Sequence, residues 1–419
     1  MLKDILLDSG HNQIRMAILE DGVPVEIHIE KRENKSLVGN IYRGKVVRVL
    51  KGMQSAFVDI GLDKNAFLYV KDIAPIKYDD NGEITLISNQ DISRLLTQGQ
   101  EISVQVIKDA LGEKGPRVTT RLSLPGRYSV LMPRSNVLGV SKKIKDQEER
   151  KRLRQIAQAS MPPYAGIIVR TAAEGVPDEV ISEDIENLKI LHESILNKER
   201  KGKVPRLLYG EPGIIAQTVR EYLKPDINRF IVNDLKEYEK IISILEDTSP
   251  ELKPKVQYFT RDYDMFSYYN VESALLEALS RKVWLKSGAY LIFDYTEALT
   301  VIDVNSGKFV GKLDLEDTAL KINLEAAKSI AHQIRLRNLS GIIIVDFIDM
   351  HKKEHREQVV QTLRDLVKED KTHTVVMGMT ELGLVEITRK KIRQPLYKSF
   401  TEVCSACDGT GFRPIKAHR

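Results

Sequence analysis

Cysteine is almost absent: the chain has two in 419 residues, Cys404 and Cys407. A disulfide-stapled extracellular scaffold is thereby excluded, and the cytoplasm is the default compartment. No apolar run approaches the roughly 18 residues that suggest a membrane span. The start, MLKDILLDSG, lacks the apolar core of a signal peptide. Internal repeats and low-complexity tracts are also missing. Neither sign of charge dominates, since Lys+Arg 64 against Asp+Glu 59 leaves a net charge of +5. That balance suits a polyanionic partner, yet many ordinary enzymes share it. Against these absences stands a 42% hydrophobic content, enough for large cores, and a length that suggests two to four domains.

The texture of the sequence changes along its length. Residues 1–35 read as a sheet start, with ILLDSG, IRMAILEDG and PVEIHIEKRE each closed by polar residues or Gly. Residues 36–120 carry short strands between turns (NIYRGKVVRVL, SAFVDIGL, NAFLYVKDI, ISVQVIKDAL, RVTTRLSL), the pattern of a small OB-type barrel. Within them, the 74–91 stretch reads as an exposed loop with an Asp-Asn-Gly turn. Residues 121–213 add a charged helix, the strand AGIIVRTAA and a second long helix. From 279 onward strands and helices alternate, as a layered α/β core requires.

Two strand ends concentrate the chemistry. In ALTVIDVNSGKF, Val301, Asp303 and Asn305 share one face. In GIIIVDFIDM, Ile342, Ile344 and Asp346 share another, and the β-branched run reads as a strand buried on both faces. An unpaired carboxylate there costs several kcal/mol or neutralises. Two convergent carboxylates are most simply held ionised by a hard cation, Mg²⁺ or Mn²⁺, with Asn305 orienting a water or a phosphate oxygen. The alternative is that each Asp caps a loop or helix. Asp349 is expected to face away in a supporting role. Arg335 and Arg337 end a helix, where dipole complementation alone explains them. The run Arg389, Lys390, Lys391 and Arg393 either follows a phosphate backbone or forms a solvated face.

Phe57 and Phe67 are either barrel core or a platform for bases, with Lys45 and Lys114 placed to meet phosphates. CSACDGTGF is a C-x-x-C-x-G-x-G knuckle. Its two thiolates can grip a structural Zn²⁺, a redox pair and a disulfide being the other readings. Since such a site wants four ligands, two chains would share one ion unless His418 or a distant His completes it.

Taken in order, ALTVIDVNSG, NLEAA at 323–327, RLRNLSGIIIVDFIDM and CSACDGTG resemble the ribonuclease E/G family over essentially the whole chain. The resemblance implies a multidomain α/β and α+β protein. An RNase H-like domain without its own active site (1–35 and 214–278) is interrupted by an OB-fold RNA-binding domain (36–120) and a 5′-sensor region (121–213). A DNase I-like catalytic domain (279–400) and a zinc link (401–419) follow. It implies a Mg²⁺-dependent endoribonuclease that cleaves single-stranded RNA in RNA processing, including rRNA, and in mRNA decay. The products would carry 5′-phosphate and 3′-hydroxyl ends, and a 5′-monophosphate on the substrate would stimulate cleavage. Asp303 and Asp346 match the metal-binding carboxylates and Asn305 their neighbour. Phe57, Phe67 and Lys114 match the RNA clamp. Arg170 and Thr171 match the receptor of the terminal phosphate, and Gly126 and Val130 the residues against which the terminal base lies. His373 replaces a further sensor arginine, so recognition there is expected to be weaker, pH-sensitive or helped by Lys371. The chain stops soon after the knuckle, which implies a zinc-linked homodimer, with higher oligomers if a full-length chain is longer. An RNA-binding scaffold with a silent nuclease centre is the alternative, and it would have no need of paired Asp303 and Asp346.

Overall fold

The computed structural model describes residues 2–33, 36–73, 76–78, 84–86, 91–110, 114–163, 165–307, 315–391, 393–407 and 409–412. Most of residues 74–91 and His418 lie outside the described residues; where the sequence suggests a loop, Ile76–Tyr78 and Ile84–Leu86 pair as an antiparallel two-stranded ribbon. Contacts divide the chain into two compact units, Met1–Arg32 with Pro225–Arg419, and Glu33–Lys224. The second unit takes in the helix Ile214–Tyr222, which the family resemblance assigns to the 214–278 segment.

The first unit holds two sheets. In one, Lys3–Ser9, Gln13–Glu20 and Val23–Lys31 form an antiparallel meander, and Arg229–Val232 and Val256–Tyr258 add parallel to the first strand. In the other, the order is Lys282–Trp284, Tyr290–Tyr295, Leu299–Asn305, Gly341–Asp346, Leu384–Arg389 and Thr374–Met379. Leu299–Asn305 and Gly341–Asp346 run parallel, and the helix Leu315–Leu336 lies between them in the chain. That helix buries Ala319, Ile322, Ala326, Ala327, Ile330 and Ala331. Its small residues let it lie close on the sheet, and Lys353–Val367 joins it in the same core through Val359, Val360 and Leu363.

Helices therefore cover one face of this sheet, and the other face is open. Ile343 and Val345 are fully buried, whereas Ile342 is 48% exposed. The expectation that GIIIVD is buried on both faces fails here. Its β-branched residues reflect strand propensity as much as burial, and only alternate ones enter the core. Asp346 thus avoids most of the cost of a buried charge by standing on the open side, where it is only partly buried.

In the second unit, Ile41–Leu50, Ser55–Asp59, Ala66–Tyr69, Arg117–Thr119 and Glu101–Lys108 pair in turn, and Ile41–Leu50 closes on Glu101–Lys108. This is a closed five-stranded, OB-like barrel around Val46, Ala56, Val58, Ala66, Leu68, Val104 and Val118. A smaller sheet (Leu124–Pro125, Ser129–Pro133, Ala165–Val169, Leu138–Val140) packs with the helices Gln147–Ser160 and Asp178–Glu199. Asp146 starts the first helix by accepting from the Glu148 and Glu149 amides at 2.9 and 3.2 Å.

Candidate active site and nucleic-acid interfaces

Strand register brings the two acids together. Asp303 is the direct partner of Asp346 across the parallel pair, with both side chains on the open face. Asn305, two residues on, donates from Nδ2 to Asp303 Oδ2 at 2.6 Å. The strand can end tightly because Gly307 has φ 61° and lies against Gly288, whose carbonyl oxygen a Cβ would approach to 2.4 Å. Partial burial, then the charges of Asp303 and Asp349, raise the Asp346 pKa above the usual carboxylate value. Asp349 is exposed and lies beyond the end of the strand, so period-two alternation does not apply to it, and its charge acts on Asp346.

Nearby carboxylates are treated differently. Asp294 pairs with Arg281 at 2.6 Å, and Glu316 accepts from the His351 and Lys352 amides. Among the described residues, neither Asp303 nor Asp346 has such a basic partner, and neither caps a helix. A divalent cation held between them would relieve their repulsion. No group of three or more His, Cys, Asp or Glu among the described residues could enclose a metal. Two carboxylates without a third acidic ligand suit Mg²⁺, which keeps waters and substrate phosphates in its shell.

The barrel resolves the ambiguity of its phenylalanines. Ala56, Val58, Ala66 and Leu68 point inward, so Phe57 and Phe67 point outward, half-buried. They are cross-strand partners in an edge-to-face contact at 6.1 Å. Arg48 pairs with Phe57 and Arg117 with Phe67, a row that sequence inspection missed; Arg48 is exposed, and the Arg117 guanidinium is forked onto Asp72 at 3.1 and 2.8 Å. Lys45 and Lys114 are exposed.

Arg170 and Thr171 line a cavity of about 300 Å³ with Arg127, Ser141, Arg220 and Lys224. Arg170 donates to the Gly126 carbonyl at 2.6 Å and forks onto Glu221, which Arg220 also contacts at 3.1 Å. Burial opposes the Glu221 charge, but Arg170 and Arg220 prevail and hold its pKa below the usual value. Thr171 Oγ1 and Ser141 Oγ share a hydrogen bond of 2.8 Å. Val130 is half-buried opposite Ile168. Arg127, Arg170, Arg220 and Lys224 outnumber Glu221 and the Glu211 that Arg220 also binds at 2.7 Å, so the cavity lining carries an excess of positive charge. Arg127, Arg220 and Lys224 come from segments that no local motif joins to GIIVRTAA. His373 belongs to the first unit, exposed just before Thr374–Met379.

At the knuckle, Gly409 and Gly411 both have φ 78°, folding the chain back so that the Gly411 amide donates to Cys407 Sγ at 3.4 Å. That bond and the neighbouring Cys404 thiol lower the Cys407 pKa, which favours the thiolate a metal needs. Both cysteines are free. Two donors make half a tetrahedral site.

The basic residues near the catalytic sheet are largely structural. Arg335 pairs with Glu20 and Glu26 at 3.0 and 3.3 Å. Arg337 is buried, with its guanidinium 3.9 Å from the Phe293 ring centre and bonded to Tyr295 Oη at 2.7 Å. Arg389 is also buried, against Asp370, which removes it from the phosphate-following run. Only Lys390, Lys391 and the half-buried Arg393 remain for that role.

Comparison with known proteins shows the family. The model of the ribonuclease E/G family matches residues 123–392. Ribonuclease G of Escherichia coli (strain K12) is 40% identical over 415 residues, spanning 98% of this chain and 84% of that protein. Ribonuclease G of Haemophilus influenzae is 42% identical over 409 residues, 97% of this chain and 83% of that protein. Ribonuclease E of Nostoc sp. is 38% identical over 415 residues, 98% of this chain and 59% of that protein. By family model and relatives together, the chain belongs to the ribonuclease E/G family.

Proposed function

We propose that this endoribonuclease hydrolyses phosphodiesters of single-stranded RNA at the Asp303–Asp346 pair, with Mg²⁺ or Mn²⁺ as its cation, in RNA processing and decay. The observation that carries the reading is the register: two unpaired carboxylates and an asparagine share an open sheet face. Asp303 and Asp346 hold the cation, and Asn305 fixes the Asp303 carboxylate. When bound, the cation polarises the scissile phosphate and lowers the pKa of the attacking water. Attack by water leaves 5′-phosphate and 3′-hydroxyl ends. The Phe57–Phe67 pair, with Lys114 three residues before Phe67's partner Arg117, takes up the single strand by stacking and charge. A silent RNA-binding scaffold would leave the paired acids without a purpose.

The five-stranded sheet, built from strands within 3–31 and 229–258, supports reading 1–35 and 214–278 as RNase H-like apart from the helix Ile214–Tyr222, and the layered six-stranded sheet supports a DNase I-like catalytic domain over 279–400. The purified chain, given matched 5′-labelled single-stranded RNA and DNA, should cleave only the RNA and only with divalent cation. Cleavage of both substrates, or undiminished cleavage in chelator, would reject the reading.

The Arg170 cavity receives a 5′-monophosphate, which has to compete with Glu221 for the guanidinium. Arg170→Ala is expected to bring the rate ratio of 5′-monophosphate to 5′-hydroxyl substrates down to about one. An unchanged ratio would remove Arg170 from that role. Cys404 and Cys407 supply half of a Zn²⁺ site that two chains complete. Cys404→Ser or Cys407→Ser should convert a zinc-containing dimer to zinc-free monomer in sedimentation and metal analysis, and a persistent zinc-containing dimer would contradict the link.

A further inference from the structure

The register of the catalytic sheet brings one more group onto the carboxylate face. Lys282 is opposite Ile292, and Ile292 is opposite Asp303. One step along, Trp284 is opposite Tyr290, and Tyr290 is opposite Asn305. The alternate residues Val283, Leu291, Ile302 and Val304 are buried in the core. Lys282, Trp284 and Tyr290 therefore emerge on the same side as Asp303, Asn305 and Asp346. At roughly 4.8 Å per strand, the edge strand bearing Trp284 runs ~10 Å from the Asp303 strand. A few nucleotides of single strand cover that distance.

Trp284 is the chain's only tryptophan and is 63% exposed. Leaving so much indole in water forgoes burial that a core position would supply. The ring is nevertheless held in place. Lys282 Nζ sits 3.7 Å from the Trp284 ring centre and 3.6 Å from that of Tyr290. The two rings meet edge to face at 5.2 Å. An ammonium between two π faces orders both rings and sets a positive charge beside the exposed indole.

We infer that Trp284, braced by Lys282 and Tyr290, stacks on a nucleobase of the RNA bound for cleavage and so positions the phosphate presented to Asp303 and Asp346. A π surface next to a cation complements a base and its phosphate together. The location favours RNA over a protein partner, because a protein seated on this face would obstruct the carboxylates that the substrate must reach. Trp284 is a positioning residue, and the inference rests on the nuclease reading.

Because no other tryptophan contributes, the protein's indole fluorescence reports this site directly. The full chain carrying Asp346→Asn, titrated with a short single-stranded RNA, should show saturable quenching that follows the binding curve from oligonucleotide anisotropy. In the active chain, Trp284→Ala should raise KM roughly tenfold and shift the pattern of cleavage sites, while Trp284→Phe should restore KM to within about threefold. Binding and cleavage with unmoved fluorescence, together with an unaltered KM for Trp284→Ala, would overturn the inference and leave the nuclease standing. Loss of self-association in Trp284→Ala at unchanged KM would overturn it in favour of a protein interface. Absence of any RNA binding or cleavage by the unmodified chain would sink the nuclease reading and this inference with it.

Discussion

Asp303→Asn and Asp346→Asn are each expected to slow RNA cleavage by about 10³-fold or more, since a catalytic cation contributes several kcal/mol to the transition state. RNA affinity should change far less, because the basic and aromatic residues proposed to take up the strand are untouched. The same repulsion predicts a second effect. Partial burial, Asp303 and Asp349 raise the Asp346 pKa, so its ionised form is less stable in the fold than in the unfolded chain. Asp346→Asn should therefore melt at a higher temperature than the unmodified chain at neutral pH without divalent cation. The gap should narrow as the pH falls through the raised pKa and Asp346 becomes protonated. Saturating Mg²⁺ should narrow it as well, by stabilising only the unmodified chain. A variant less stable than its parent at neutral pH would show that the pair is not under repulsion. Catalytic acids kept close at the expense of stability are a common compromise.

Asp370→Ala is expected to destabilise the first unit by about 3–5 kcal/mol, measured by urea unfolding. Arg389 Nε donates to Asp370 Oδ2 at 2.6 Å and Nη2 to Oδ1 at 3.2 Å. Asn338 Oδ1 and the Leu339 carbonyl take Nη1, each at 2.9 Å. Arg389 is 6% and Asp370 9% exposed, so removing the acid strands a charge with little access to water. Replacing both, as in Asp370→Ala with Arg389→Met, should recover much of the loss, because no charge is then left buried. A loss below about 1 kcal/mol for Asp370→Ala would place the pair among weak surface bridges. The ion pair matters to the site because Leu384–Arg389 is hydrogen-bonded along the Asp346 strand, opposite it from Gly341 to Asp346.

The acidic pair was legible because both acids end strongly apolar strands, and period two alone puts Asp303 and Asn305 on one face. Their mutual register was not legible, since it depends on how the strands pair. Nor was the open face, because Ile342 and Ile343 read alike until helices cover only one of them. Phe57 and Phe67 were ambiguous for a related reason: SAFVD carries apolar residues on both sides, and barrel closure decides which are core. The buried role of Arg389 was hidden in a basic run because Asp370 lies on a different segment. Arg127, Arg220 and Lys224 reach the Arg170 cavity from distant segments, which no local spacing reveals. Trp284 was passed over because the short strand Lys282–Trp284 has too little alternation to announce itself.

The proposed mechanism is that Asp303 and Asp346 together hold the cation on which cleavage of single-stranded RNA depends. Its most direct test is single-turnover cleavage of 5′-labelled single-stranded RNA across a Mg²⁺ titration, comparing the unmodified chain with Asp346→Asn at matched RNA occupancy. Cleavage by the unmodified chain that saturates with Mg²⁺, and that Asp346→Asn loses while still binding RNA, is the predicted result. Near-parental cleavage by Asp346→Asn at the same Mg²⁺ concentrations would contradict it.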